Sequence, residues 1–377
     1  MSTSALRPAA ALACLALGLL AGCGNPVKPE PPRLGPVEAH ALIGRLLPPD
    51  MPERGAWITD IYAAFAAIDI PTTPEHVCAV AAVAEQESGF QVNPVIPGLP
   101  AIALKEIDER ARRAGVPSLL VHAALHLPSP DGRSYSERIE AARTERDLSE
   151  IYDALVGVVP LGKMFLSDRN PIRTAGPMQV SVSFAEAYAA AHPYPYPVDG
   201  SLRREVFTRR GSVYFGVAHL LDYRASYGQM LYRFADYNAG QYASRNAAFQ
   251  NALSLASGIP LSADGELIRI DDDGPPTATE LAARVLGRRI DLGESQLHDD
   301  LRRSREADFE RSALYGQVYA QAEHDAGHPL PRAQVPQIAL KSPKITRHLT
   351  TAWYASRVDG RFHRCMQRAA DSGDAAQ

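Results

Sequence analysis

The chain has 377 residues, 46% of them apolar, with 39 Lys and Arg against 43 Asp and Glu for a formal net charge of −4. That length exceeds the usual single-domain size and supports a large core with a substantial elaboration. The absence of a basic excess argues against a nucleic-acid partner, because phosphate binding needs clustered Lys and Arg.

Residues 1–8 carry one basic side chain, Arg7, ahead of an apolar run over 9–22 that is too short to span a bilayer as a helix. This is the pattern of a secretory signal peptide. The run ends in Leu20-Ala21-Gly22-Cys23, which resembles the bacterial lipobox, so residues 1–22 are expected to be removed and Cys23 to carry a diacylglyceryl group. Lipid chains contribute about 0.8 kcal/mol per buried methylene, enough for an acylated Cys23 to hold the protein on a membrane surface. Gly24 follows the cysteine where an acidic residue would favour inner-membrane retention. The resemblance to Gram-negative lipoproteins therefore implies the periplasm, at the inner face of the outer membrane. Loss of Arg7 moves the net charge to about −5. Cys14 leaves with the signal peptide, so Cys78 and Cys365 remain. They either pair, as an oxidising compartment permits, or stand as two separate buried thiols.

Residues 23–37 are rich in proline and read as an extended tether without a core. From residue 39 onward apolar residues recur at helical spacing, as in Leu42, Ile43, Leu46 and Leu47 and again in Ile58, Ile61, Tyr62 and Phe65. Thr73-Pro74-Glu75 is a strong helix start, combining a hydroxyl cap, a proline in the first turn and an acid near the positive end of the dipole. That helix is predicted to run to Ser88. Further helices are predicted over 103–114, 117–125, 135–156 and 212–227, with a short strand or hairpin near 266–270. Thr277-Ala278-Thr279-Glu280 has capping-box spacing before another helix, and the C-terminal third reads as largely helical.

On a wheel at about 100° per residue, Glu87 lies about 20° from Val80 and within the arc of Val77, Val83 and Ala84. A carboxyl group thus interrupts an apolar face. Glu85 lies about 140° from Val80, on the polar side. Burial in apolar surroundings disfavours a charged carboxylate, which suits Glu87 to general-acid work near neutral pH. The bland alternative is a helix-end glutamate turned to solvent or paired with an arginine.

Three strings bear on that choice: Glu87-Ser88-Gly89-Phe90 with Asn93-Pro94, then Ala175-Gly176-Pro177-Met178-Gln179-Val180, then Ala235-Asp236-Tyr237-Asn238-Ala239-Gly240. In order, they resemble signatures of the soluble lytic transglycosylase family, relatives of goose-type lysozyme. Pro177 stands where that family has leucine, and Asp236 where it has alanine. The resemblance covers roughly 74–94 and 173–250, and 92 positions separate Glu87 from Gln179 instead of a short stretch. It implies a mainly α, lysozyme-like (α+β) catalytic domain over 38–260, with a large helical insertion at about 97–170 and a helical C-terminal extension over 261–377.

What the resemblance implies for chemistry is a peptidoglycan lytic transglycosylase. Glu87 would protonate the glycosidic oxygen between N-acetylmuramic acid and N-acetylglucosamine, then deprotonate the muramyl C6 hydroxyl to give a 1,6-anhydro sugar. The substrate's acetamido group would replace the second carboxylate of the usual scheme. Met178 and Gln179 would line sugar subsites, Tyr237 and Asn238 would orient the acid and the N-acetyl group, and Ser88 would position the loop after the helix. For Met178 and Tyr237, core packing is the competing reading. The implied partners are glycan strands, the membrane through Cys23, and an envelope protein at the insertion or extension. An inactive peptidoglycan-binding or envelope-assembly lipoprotein, or a muramidase with an additional base, is the alternative. Asp271-Asp272-Asp273-Gly274 lacks the other ligands of a calcium loop and reads as an exposed acidic turn, so no metal and no cofactor is assigned. Metalloprotease, serine-hydrolase and phosphate-loop motifs are missing from the sequence.

Overall fold

The computed structural model describes residues 33–158, 170–269, 274–340 and 347–373. The signal peptide, Cys23 and the acidic triplet 271–273 lie outside them. The described chain is mainly helical. The first helices are α1 (Pro36–Leu46), α2 (Arg54–Ile68) and α3 (Pro74–Ser88). The insertion carries α4 (Leu99–Arg113), α5 (Ser118–Leu125), α6 (Tyr135–Ala141) and α7 (Glu145–Val158). A two-residue hairpin, β1 (Thr174–Ala175) with β2 (Val180–Ser181), precedes α8 (Val182–Ala191), α9 (Leu202–Val206), α10 (Arg209–Leu221) and α11 (Met230–Ala239). Then follow α12 (Ala243–Ser257), α13 (Ala278–Gly287), α14 (Glu294–Arg302) and α15 (Ala313–Ala326). A second short hairpin, β3 (Ala339–Leu340) with β4 (Leu349–Thr350), leads into α16 (Thr351–Asp371).

Three apolar clusters organise these elements. The largest joins α1–α3, the β1–β2 hairpin, α8–α11 and α16, with Trp57, Phe65, Val80, Phe215 and Phe234 at its centre. A second, around Phe249, Leu286, Phe309 and Val318, joins α12 to α15. A small third cluster of Leu125, Tyr135, Ile139 and Ile151 holds the insertion together.

The segment expected as one extension, 261–377, divides between two of these clusters. Helices α13–α15 pack with α12, whereas α16 returns to the first cluster and lies along α3. Its Tyr354, Ala355, Val358, Phe362, Cys365 and Ala369 are buried at helical spacing, which forces that face into apolar company. A disulfide between Cys78 on α3 and Cys365 on α16 joins the two helices across 287 positions, with Cα atoms 5.4 Å apart.

The predicted helix over 135–156 is two helices, α6 and α7. The break falls at residues 142–144, where the Asp147 carboxylate accepts the backbone N–H groups of Arg143 and Thr144 at 2.9 Å and so caps a new start. No strand forms over Glu266 to Arg269. Leu267 and Ile268 turn into the second cluster, while the Glu266 carbonyl accepts Gln250 Nε2 and the Leu267 carbonyl accepts Thr277 Oγ1. Side chains there take the hydrogen bonds that a neighbouring strand would otherwise supply. Thr277 caps α13 through Glu280 N–H at 3.0 Å, but the Glu280 carboxylate pairs with Arg284 instead of closing a capping box.

Candidate functional site

Thr73 Oγ1 accepts the His76 N–H at 3.2 Å and starts α3 as its sequence dictates. The helix ends at Gly89, whose φ of +57° is the left-handed conformation that glycine adopts without a Cβ penalty. Ser88 Oγ donates to the Ala84 carbonyl at 3.1 Å, and Phe90 returns to the core with its ring edge-on to Trp57 at 5.3 Å. The Glu-Ser-Gly-Phe string is therefore a helix end with an apolar anchor. It leaves Glu87 half-buried on the final turn. The hydroxyl of Ser88 is engaged by the helix itself, on the Ala84 carbonyl.

Tyr354 of α16, buried beside α3, donates its hydroxyl to Glu87 Oε1 at 2.5 Å. Burial, then the negative charge of Glu87, holds the Tyr354 phenol well above its ordinary pKa, so it stays a donor. Tyr237 of α11 is raised by the same two causes. Its hydroxyl turns elsewhere and donates to the Met178 carbonyl at 2.7 Å. Glu85, which the wheel puts on the polar side, pairs with Arg361 at 3.3 Å and Arg364 at 3.6 Å on α16, further along the same helix that supplies Tyr354.

The Gly176-Pro177-Met178-Gln179 string is the turn between β1 and β2, closed by the Gln179 N–H on the Gly176 carbonyl at 2.9 Å. Proline suits its second position, where φ near −65° is wanted. Gly176 has a φ of +72°, and a Cβ there would lie 2.3 Å from the Val206 carbonyl and 2.5 Å from Ser212 Cβ. Met178 is corrected here: its side chain is fully buried, packed against Gly216, and its N–H donates to Ser212 Oγ at 3.0 Å. An apolar side chain beside a glycine notch gains more from the core than from a wet subsite. The same holds for the ring of Tyr237, which is buried against His219.

Gln179 remains half-buried with its amide fixed at both ends. Oε1 accepts Thr174 Oγ1 at 2.9 Å, and Nε2 donates to Glu145 Oε2 at 3.1 Å and the Gly176 carbonyl at 3.3 Å. Glu145 opens α7, so the insertion closes onto this turn. It leaves from the loop after Glu87, where the Ile96 N–H meets the Arg143 carbonyl at 2.9 Å. It returns through Asn170, whose Nδ2 donates to Ser149 and Asp153. Asn93, from the Asn-Pro string, lines an open cavity of about 450 Å³ with Asp60, Arg146, Phe207 and Arg209.

Asn238 ends α11, and its Oδ1 accepts Thr351 Oγ1 at 2.9 Å, which ties it to the start of α16. Asp236, the departure from alanine, is buried and accepts hydrogen bonds from Tyr223 at 2.9 Å, from Tyr227, and from the Ser244 N–H at 2.6 Å. Burial raises its carboxyl pKa despite those donors. It braces the turn that carries Asn238 and takes no part in the site. Beneath Tyr237, His219 Nε2 lies 3.3 Å from the Tyr237 carbonyl, and burial pushes the imidazole pKa down to about 4, so the neutral ring donates.

Sequence reasoning missed Tyr354, Thr351 and Glu145, because each reaches the site from an element distant in the chain. Among the described residues no group of three or more His, Cys, Asp or Glu side chains could hold a metal ion, and no helix is long and apolar enough to cross a membrane.

Fold and site together define a class: a mainly helical protein that holds a half-buried carboxylate, Glu87, on a buried phenol, Tyr354, and carries a helical insertion between α3 and the first hairpin. The chain belongs to the family described as "Protein of unknown function (DUF1615)", which it matches over residues 50–368. It is 47% identical to the "Uncharacterized protein YaiW" of Escherichia coli (strain K12) over 367 residues, covering 97% of this chain and all of that protein. No solved structure matches it.

Proposed function

We propose that the protein is a membrane-tethered peptidoglycan lytic transglycosylase of lysozyme-like fold, with Glu87 as its single general acid and base. The carrying observation is the Tyr354 hydroxyl on Glu87 Oε1, which fixes one carboxyl on a helix end in a partly dry setting. Glu87 donates its proton to the departing glycosidic oxygen, and the resulting carboxylate takes the C6 hydroxyl proton as that oxygen closes on C1. Tyr354 holds the carboxyl rotamer through both stages. Gln179, oriented by Thr174 and Glu145, and Asn238, held by Thr351, are the polar groups at the sugar. Acylated Cys23 and the tether keep the enzyme at the inner face of the outer membrane.

A second reading follows from Met178 and Tyr237, which the core has absorbed: a lipoprotein that binds glycan strands or an envelope partner without cleaving. The test is release of 1,6-anhydromuropeptides from purified sacculi, set against release by Glu87→Gln. Release by the wild type alone supports the enzyme. Sedimentation with sacculi and no release supports the second reading.

A further inference from the structure

Helix α5 contradicts the usual arrangement of a surface helix. Val121 and Leu125 turn inward to the insertion's small cluster. Leu119, Leu120, Ala123 and Ala124 fall on a separate arc of about 140°, and all four are exposed. Leu119 is 79% exposed and Leu120 61%, and Leu127 just past the helix end is 57% exposed. The arc carries no charged or hydrogen-bonding side chain. A contiguous exposed apolar patch of this kind marks a protein or membrane contact.

The surroundings select the membrane. Protein hot spots are rich in Trp, Tyr and Arg and are built on complementary pockets. This face offers only aliphatic side chains, with no aromatic or arginine anchor on the arc itself, and such side chains need only an apolar medium. Arg112 and Arg113, exposed at the end of α4, precede α5 in the chain by a short turn, while Arg110 pairs with Glu106 at 3.9 Å, and His122 Nε2 ties α5 to Asp108 of α4 at 3.1 Å. Apolar side chains with arginines beside them suit the boundary between acyl chains and anionic headgroups. Ten residues separate Cys23 from Leu34, so an acylated Cys23 would keep Leu34 within about 35 Å of the bilayer.

We infer that the exposed face of α5 inserts shallowly into the bilayer that holds Cys23, a second membrane contact carried by the insertion. It rests on the lipobox reading but not on transglycosylase activity. A contact of this kind orients the domain on the membrane, which a single anchor at Cys23 does not do.

The test uses the full acylated chain with a polarity-sensitive fluorophore on Leu120→Cys, and His324→Cys as the control on α15. Both are reconstituted into vesicles of phosphatidylethanolamine and phosphatidylglycerol carrying a lipid spin-labelled near the top of its acyl chain. The inference predicts a blue shift and severalfold quenching at position 120 and neither at 324, with both chains floating with the vesicles. Floating chains with equal, unquenched signals at both positions overturn it. A concentration-dependent blue shift without vesicles assigns the face to a second copy and overturns it too. If neither chain floats, the anchor and the α5 contact both fail.

Discussion

Tyr354 and Glu87 stand 267 positions apart and meet at 2.5 Å, phenol to carboxylate, across the packed pair α3 and α16. The C-terminal helix is thus part of the site. Tyr354→Phe removes the donor while keeping the buried ring. Hydrogen bonds to charged groups contribute about 1.5–3 kcal/mol, reduced here because Glu87 is only half-buried. We predict a loss of glycan-cleaving rate of roughly tenfold and a stability loss of about 1 kcal/mol, read by muropeptide release and thermal unfolding of the same preparations.

The Cys78–Cys365 disulfide clamps those two helices and closes a loop of 287 positions. Removing a native disulfide costs about 2–5 kcal/mol, chiefly through the unfolded chain. Cys365→Ala, or wild type in reductant, is predicted to unfold several degrees lower, with activity falling as α16 loosens from α3. Equal melting temperatures with and without reductant would contradict the clamp.

Gly176 sits at positive φ in a notch closed by Val206 and Ser212. Gly176→Ala meets both backbone strain and a clash with a main-chain carbonyl, so a loss of about 2–4 kcal/mol is expected in denaturant titration. Gly89→Ala, where open space surrounds the left-handed position, is predicted to cost less, about 1 kcal/mol.

His219, enclosed by Phe184 and Tyr237, has its pKa pushed down to about 4. The unfolded chain then binds the proton first, at its ordinary value near 6.5. Stability is fully present above that value and falls as pH drops from about 6.5 to 4. His76, also lowered by burial, adds the same sign. About 3 kcal/mol from His219 is expected across that window, and His219→Gln should flatten the melting temperature there.

Local signals were readable and distant ones were not. Thr73-Pro74-Glu75 marked the start of α3, and Glu87 interrupts its apolar stripe at the end because period and cap are properties of adjacent residues. The same rules missed the break at residues 142–144, since Asp147 caps α7 from within a continuous apolar pattern. Met178 and Tyr237 were legible as motif members, but their burial depends on Gly216 and His219, which no neighbouring residue announces. Tyr354 lies in an ordinary amphipathic helix, and only the return of α16 to the first cluster gives it a role. Whether Cys78 meets Cys365 is settled by that same return.

The most direct measurement is mass spectrometry of muropeptides released from purified sacculi by the mature chain and by Glu87→Gln, a nearly isosteric change that removes the proton donor. The account predicts 1,6-anhydromuropeptides from the wild type and none from the variant. Hydrolysed, non-anhydro products, or equal release by both proteins, would contradict it.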